Sequence, residues 1–184
     1  PDSHWLAYST DTTGYRQYRL QFKDLRNQQL SPEHLDRVTS VAWGQDNKTV
    51  FFTTEDEVTK RYDKFWRHTV GSPDSDLLYV ENDELFEVVC GASRDQSMVM
   101  MHCWSKTSTE CHYRPADSSP TPLKLMRPRQ ADHEYWADHA EGRFVIRTNL
   151  DAPTFKVVSA PSLQPADWQD LIKPEKLVTE AGVD

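Results

Sequence analysis

Short apolar runs separated by polar turns recur along the whole chain. Between His133 and Asn149 the pattern is a strand, a tight turn at Ala140-Glu141-Gly142, and a second strand opening at Phe144. Gly142 tolerates the positive φ that such a turn requires. The same unit recurs as Gln45-Asp46-Asn47-Lys48-Thr49 ahead of Val50-Phe51-Phe52, and as Arg94-Asp95-Gln96-Ser97 ahead of Met98-Val99-Met100-Met101. A partial copy, Leu6-Ala7-Tyr8-Ser9-Thr10, stands near the start. With Leu6, Val50, Met98 and Phe144 taken as equivalent, the spacings are 44, 48 and 46 residues. That period fits a blade of four short strands.

Each copy is followed by a segment rich in aromatic and β-branched residues: Tyr18 to Phe22, Phe65 to Val70, Cys111 to Tyr113, and Phe155 to Val158. These read as third strands. In the middle copies, Leu77 to Val80 and Leu123 to Met126 read as outer strands, where charge is tolerated because one edge faces solvent. The fold expected is all-β: a partial β-propeller of about four blades, each a four-stranded antiparallel sheet. The blades fall at about 1–25, 38–81, 83–126 and 132–172 within one domain, 1–172. Residues 173–184 lose the pattern and read as a truncated start of the next blade or a disordered tail.

Three connections carry further signals. Ser31-Pro32-Glu33, in the polar stretch from Asn27 to Asp36, has an N-cap followed by proline and reads as one helical turn. The charged segment Glu55 to Asp63 reads as the longest loop between strands, suited either to contacts or to a solvated tip. The hydroxyl-rich Ser105 to Glu110 segment suits bonds to its own turn backbone.

With 37% hydrophobic residues in 184, the chain can bury a core, and no apolar run approaches a membrane span. The net charge of −8 repels phosphate backbones and anionic headgroups, so neither nucleic acid nor membrane is an expected partner. Cys90, Cys103 and Cys111 leave an odd thiol and lack zinc-knuckle spacing, which fits packing residues in a reducing, cytoplasmic compartment. The first residue is proline rather than methionine, so a longer parent chain is expected.

No Gly-x-Ser-x-Gly elbow, phosphate-binding glycine loop or His-Glu-x-x-His motif occurs. The densest group of possible ligands is Asp132, His133, Glu134, Asp138 and His139. The strand-turn pattern reads as setting the two histidines on opposite faces, against a shared metal. Asp46, Asp95 and Glu141 occupy equivalent turns, which turn chemistry explains. No catalytic, cofactor-binding or metal-ligating residue is assigned, and no cofactor is expected.

Several separated segments then point to a family. Asp132-His133-Glu134-Tyr135, Asp138-His139, Arg143-Phe144 and Arg147-Thr148-Asn149 are four of them. Ser105 to Glu110, Asp83-Glu84-Leu85-Phe86 and Trp66 to Gly71 agree with them in order and spacing. Together they resemble the N-terminal β-propeller of the oligopeptidase B branch of the prolyl oligopeptidase family of serine peptidases, along nearly the whole chain. Thr107-Ser108-Thr109-Glu110 departs slightly from the pattern of that branch.

The resemblance implies a seven-bladed propeller capping an α/β-hydrolase domain of the same polypeptide, with short peptides as substrates cut after basic residues. It implies that a Ser/Asp/His triad and the acidic residues selecting a basic side chain lie in the hydrolase domain, so none is transferred here. The propeller would gate access to that domain. The alternative is a scaffold propeller recruiting proteins, although the Gly-His and Trp-Asp signatures of WD repeats are missing.

Overall fold

The computed structural model describes residues 2–172. The expectation for 173–184 lies outside the described residues. Fifteen strands form four sheets, and no helix occurs among the described residues. The first sheet has three strands, β1 (Trp5–Thr10), β2 (Arg19–Asp24) and β3 (Gln29–Asp36). The second has β4 (Val38–Trp43), β5 (Thr49–Glu55), β6 (Tyr62–Thr69) and β7 (Ser75–Val80). The third has β8 (Glu87–Ala92), β9 (Met98–Trp104), β10 (Thr109–Pro115) and β11 (Lys124–Arg127). The fourth has β12 (Tyr135–Ala140), β13 (Arg143–Thr148), β14 (Lys156–Pro161) and β15 (Gln169–Ile172). Every neighbour pair is antiparallel and consecutive in sequence, as in propeller blades, and the four described sheets do not close a ring.

Apolar layers lie between neighbouring sheets, and they explain why the second strands read as unbroken hydrophobic runs. Val50 and Phe52 point toward Leu20 and Phe22 of the first sheet, while Phe51 points the other way, toward Val88, Val99 and Met101 of the third. In β9, Met101 and Cys103 join that layer, and Met100 faces Tyr113, Phe144 and Ile146 on the fourth-sheet side. A strand covered on both faces needs apolar groups at odd and even positions alike. The outermost strand β15 is exposed throughout, as an edge allows.

The turns between first and second strands follow the sequence reading. Asp46 Oδ1 accepts from the Lys48 and Thr49 N–H groups at 3.0 and 2.7 Å, and Asn47 adopts φ 57°. Glu141 and Gly142 take φ 53° and 75°, the paired left-handed conformation of a two-residue hairpin turn. At Gly44 the constraint is space, because a Cβ there would meet the Ala116 carbonyl oxygen at 3.1 Å.

The helical turn expected at Ser31-Pro32-Glu33 is instead part of strand β3, so the first sheet runs to Asp36. Gln21 pairs with His34 and Lys23 with Leu30, leaving Ser31, Pro32 and Glu33 opposite Phe22 in a bulge. Proline, which has no N–H to give a ladder, is tolerated at an edge-strand bulge. The bulge aims Glu33 at the next sheet, where it accepts from the Gly71 N–H at 2.9 Å and meets His68 Nε2 at 3.1 Å.

Candidate functional site

Because the strands run up and down, the loops gather at two ends of the sheets. One face carries the loops joining second to third strands and the connectors between sheets, including 56–61, 81–86, 105–108 and 128–134. The other carries the remaining hairpin turns, including 93–97, 116–123 and 162–168. On each face a cluster of polar side chains crosses between sheets.

On the first face the organising residue is Arg129, in the connector from β11 to β12. Its Nη2 donates to Glu81 Oε2 at 2.6 Å and to Glu110 Oε1 at 3.2 Å, and its backbone N–H donates to Glu110 Oε2 at 3.0 Å. The guanidinium also lies 3.9 Å from the centre of the Phe86 ring. Glu81 and Glu110 are nearly buried. Burial alone would raise the Glu110 carboxyl, but hydrogen bonds from His112 and Arg129 outweigh it and hold the group at about 2. Glu81 is likewise lowered, its burial being outweighed chiefly by Arg129.

The cluster extends on both sides. Tyr79 Oη donates to Glu81 Oε2 at 3.0 Å, Cys103 Sγ lies 3.6 Å from Tyr79 Oη, and His112 Nε2 lies 2.9 Å from Glu110 Oε1. Arg61, from the loop between β5 and β6, donates to the carbonyls of Glu81, Asp83 and Phe86 at 2.9, 2.8 and 3.0 Å. The segment read as a long loop is thus a turn of 56–61 that anchors the neighbouring connector.

Cys103, Glu110 and His112 bring their ligand atoms within 4.8 Å of one another. These donors fit a cation poorly as they stand. Arg129 already supplies positive charge to Glu110, and burial pushes the Cys103 thiol up to about 12, far from the thiolate a metal needs.

On the opposite face, His139 sits at the end of β12. Its Nδ1 lies 2.8 Å from Asp95 Oδ2 and 3.0 Å from Ser97 Oγ, both in the turn of the third sheet, and its Nε2 lies 2.7 Å from Ser162 Oγ. The order Ser162, His139, Asp95 is that of a hydrolytic relay. The surroundings are those of a clasp. Ser97 shares Nδ1 with Asp95, and the Ser162 N–H donates to the Gly142 carbonyl at 3.4 Å. The Arg94 N–H donates to Asp138 Oδ1 at 2.9 Å, docking the same turn on the same strand.

The ligand group singled out in the sequence is divided by this arrangement. His133 lies in the connector ahead of β12 and His139 within the strand, so period-two parity does not relate the two, and both are 4% exposed. They do not converge on shared partners: His139 bonds to Asp95, Ser97 and Ser162. His133 Nε2 meets Thr148 Oγ1 at 2.9 Å within its own sheet. The hydroxyl segment does more than cap its turn: Thr109 exchanges hydrogen bonds with the Tyr135 backbone, 2.6 Å each way, joining third and fourth sheets. Arg129 and Ser162 went unnoticed in the sequence because their side-chain partners lie 19 to 48 residues away.

The chain is 37% identical over 177 residues to dipeptidyl aminopeptidase BI of Pseudoxanthomonas mexicana, an alignment covering 93% of this chain and 24% of that protein. Its fold superposes on oligopeptidase B from Leishmania major with TM-score 0.86 at 27% identity, covering 94% of this chain and 25% of the other. It superposes on oligopeptidase B from Trypanosoma brucei, in a closed form with covalently bound antipain, with TM-score 0.85 at 28% identity, covering 96% and 25%. The chain therefore spans about a quarter of the length of these relatives. The family model for the prolyl oligopeptidase N-terminal β-propeller domain matches residues 1–184, and the chain belongs to that family of serine-peptidase propellers.

Proposed function

We propose that this chain is part of the non-catalytic propeller of a serine endopeptidase, covering a hydrolase domain of the same polypeptide and admitting short peptides that are cut after basic residues. The observation that carries this reading is the likeness to oligopeptidase B over 94% of the chain at 27% identity. The clusters described above join sheets and offer no complete reaction centre, which suits a cap. Restricted entry would come from the narrow interior of a propeller and from movement against the hydrolase domain. A cytoplasmic location belongs to the same proposal, supported by three free thiols that burial pushes upward.

A second reading rests on the relative at 37% identity, which is named a dipeptidyl aminopeptidase. In that reading the parent protein removes dipeptides from free amino termini. One assay of the full-length protein separates the two, using fluorogenic arginyl peptides with blocked and with free amino termini. Turnover of the blocked peptide supports the endopeptidase, and turnover confined to the free dipeptide supports the second reading. Turnover of neither, while folded proteins are degraded, would sink the gate.

A further inference from the structure

A cleft of about 350 Å³ lies between the outer parts of the second and third sheets. On the β7 side its wall is Leu77 and Leu78 beside the Asp76 carboxylate, and on the side of the 116–123 loop it is Pro122 and Leu123 beside Thr121. Two guanidinium groups, Arg67 from β6 and Arg114 from β10, also line it.

The two arginines are not equivalent. Arg67 is compensated, since its Nε and Nη2 donate to Asp76 Oδ2 at 3.0 and 2.6 Å. Arg114 is 1% exposed and pairs with no carboxylate among the described residues. It spends Nε on the Pro115 carbonyl at 3.3 Å and Nη2 on the Ser119 carbonyl at 2.5 Å. Arg67 Nη1 approaches the same Ser119 carbonyl at 3.4 Å, so two cations converge on one neutral acceptor. The nearby Asp117 carboxylate is turned onto the Ser119 hydroxyl and N–H.

Pinning the 116–123 loop accounts for two of the five N–H donors that a guanidinium carries. It leaves a buried charge with no carboxylate in direct contact among the described residues, an arrangement that is costly unless a partner arrives. Burial first, and then the like charge of Arg67, lower the proton affinity of Arg114; Asp117 offsets part of this, and an anion in the cleft would relieve the rest. The Phe51 ring, 4.7 Å from the guanidinium carbon, offsets part of the cost but offers no fork-shaped acceptor.

We infer that this cleft is an oxyanion-binding site whose ligand is a carboxylate carried on an apolar group. The carboxylate takes the free donors of Arg114 with support from Arg67, and the apolar group packs on Leu77, Leu78 and Leu123. The inference is independent of the peptidase reading, because the probe need not be a substrate.

The test is calorimetric titration of the full-length protein with N-acetylleucine, its neutral amide and inorganic phosphate. Saturable binding of N-acetylleucine is expected, with the amide weaker by about ten-fold or more, the loss that a charge-assisted pair would cause. Arg67→Gln, at a residue that packs less deeply than Arg114, should weaken the acid and leave the amide unchanged, and Arg114→Lys should weaken it further. Equal binding of acid and amide, or unchanged affinity in the Arg67 variant, would overturn the site. Phosphate binding as tightly as N-acetylleucine would overturn the assignment to an apolar carboxylate.

Discussion

Arg129 Nη2 stands 2.6 Å from Glu81 Oε2 and 3.2 Å from Glu110 Oε1, so one guanidinium joins the connector that leaves the second sheet to the third strand of the next. Both carboxylates are nearly buried, and removing the cation leaves two like charges facing each other in a poor solvent. Arg129→Met should therefore destabilise the protein by about 3–5 kcal/mol, as loss of one partner from a buried ion pair does. Adding Glu81→Gln should recover part of that loss. Denaturant melts of the single and double variants check both statements, and additive losses would contradict them.

His102 predicts the pH dependence of stability. Burial holds its imidazole down at about 4, below the ordinary 6.5, and its Nε2 accepts the Ala137 N–H at 3.2 Å. The folded state keeps the ring neutral where the unfolded chain protonates it. Its contribution is thus full above pH 6.5 and is lost as pH falls toward about 4. Glu110, lowered from 4.5 to about 2, adds a second loss that begins as pH falls through about 4.5 and continues toward 2. Melting temperatures between neutrality and pH 5 should fall in the parent protein and fall less in His102→Gln. A parallel decline in both would contradict this origin.

Tyr135 links the last two sheets through one hydroxyl. It donates to the Arg127 carbonyl and accepts the Cys111 N–H at 2.9 Å, at a position with no exposed surface. Tyr135→Phe leaves the N–H and the carbonyl without that partner, a loss of about 1–3 kcal/mol. Chemical denaturation measures it, and a neutral outcome would mean that the backbone groups find other partners.

Ser162, His139 and Asp95 form a clasp between the third and fourth sheets. Ser162→Ala should leave peptide hydrolysis by the full-length protein unchanged, and a serine-directed fluorophosphonate should not modify Ser162. Labelling mapped to Ser162 would make it a reacting group after all.

The strands were legible because a repeated local pattern writes them. Val50, Phe51 and Phe52 form a continuous apolar run only because both faces of β5 are covered, and the turns at Asp46-Asn47 and Glu141-Gly142 are set by neighbours in the chain. Ser31-Pro32-Glu33 misled because an N-cap signature and an edge bulge share residues, and pairing with β2 decides between them. The Arg129 and His139 clusters were not legible, since nothing local relates Arg129 to Glu81 or His139 to Asp95. Their proximity follows from how consecutive sheets stack.

The measurement closest to the central claim is hydrolysis of a short, amino-blocked fluorogenic arginyl peptide by this chain alone and by the full-length protein, side by side. A propeller that caps a separate hydrolase domain predicts turnover by the full-length protein and none by the chain. Turnover by the chain alone would put the chemistry within these residues and contradict the account.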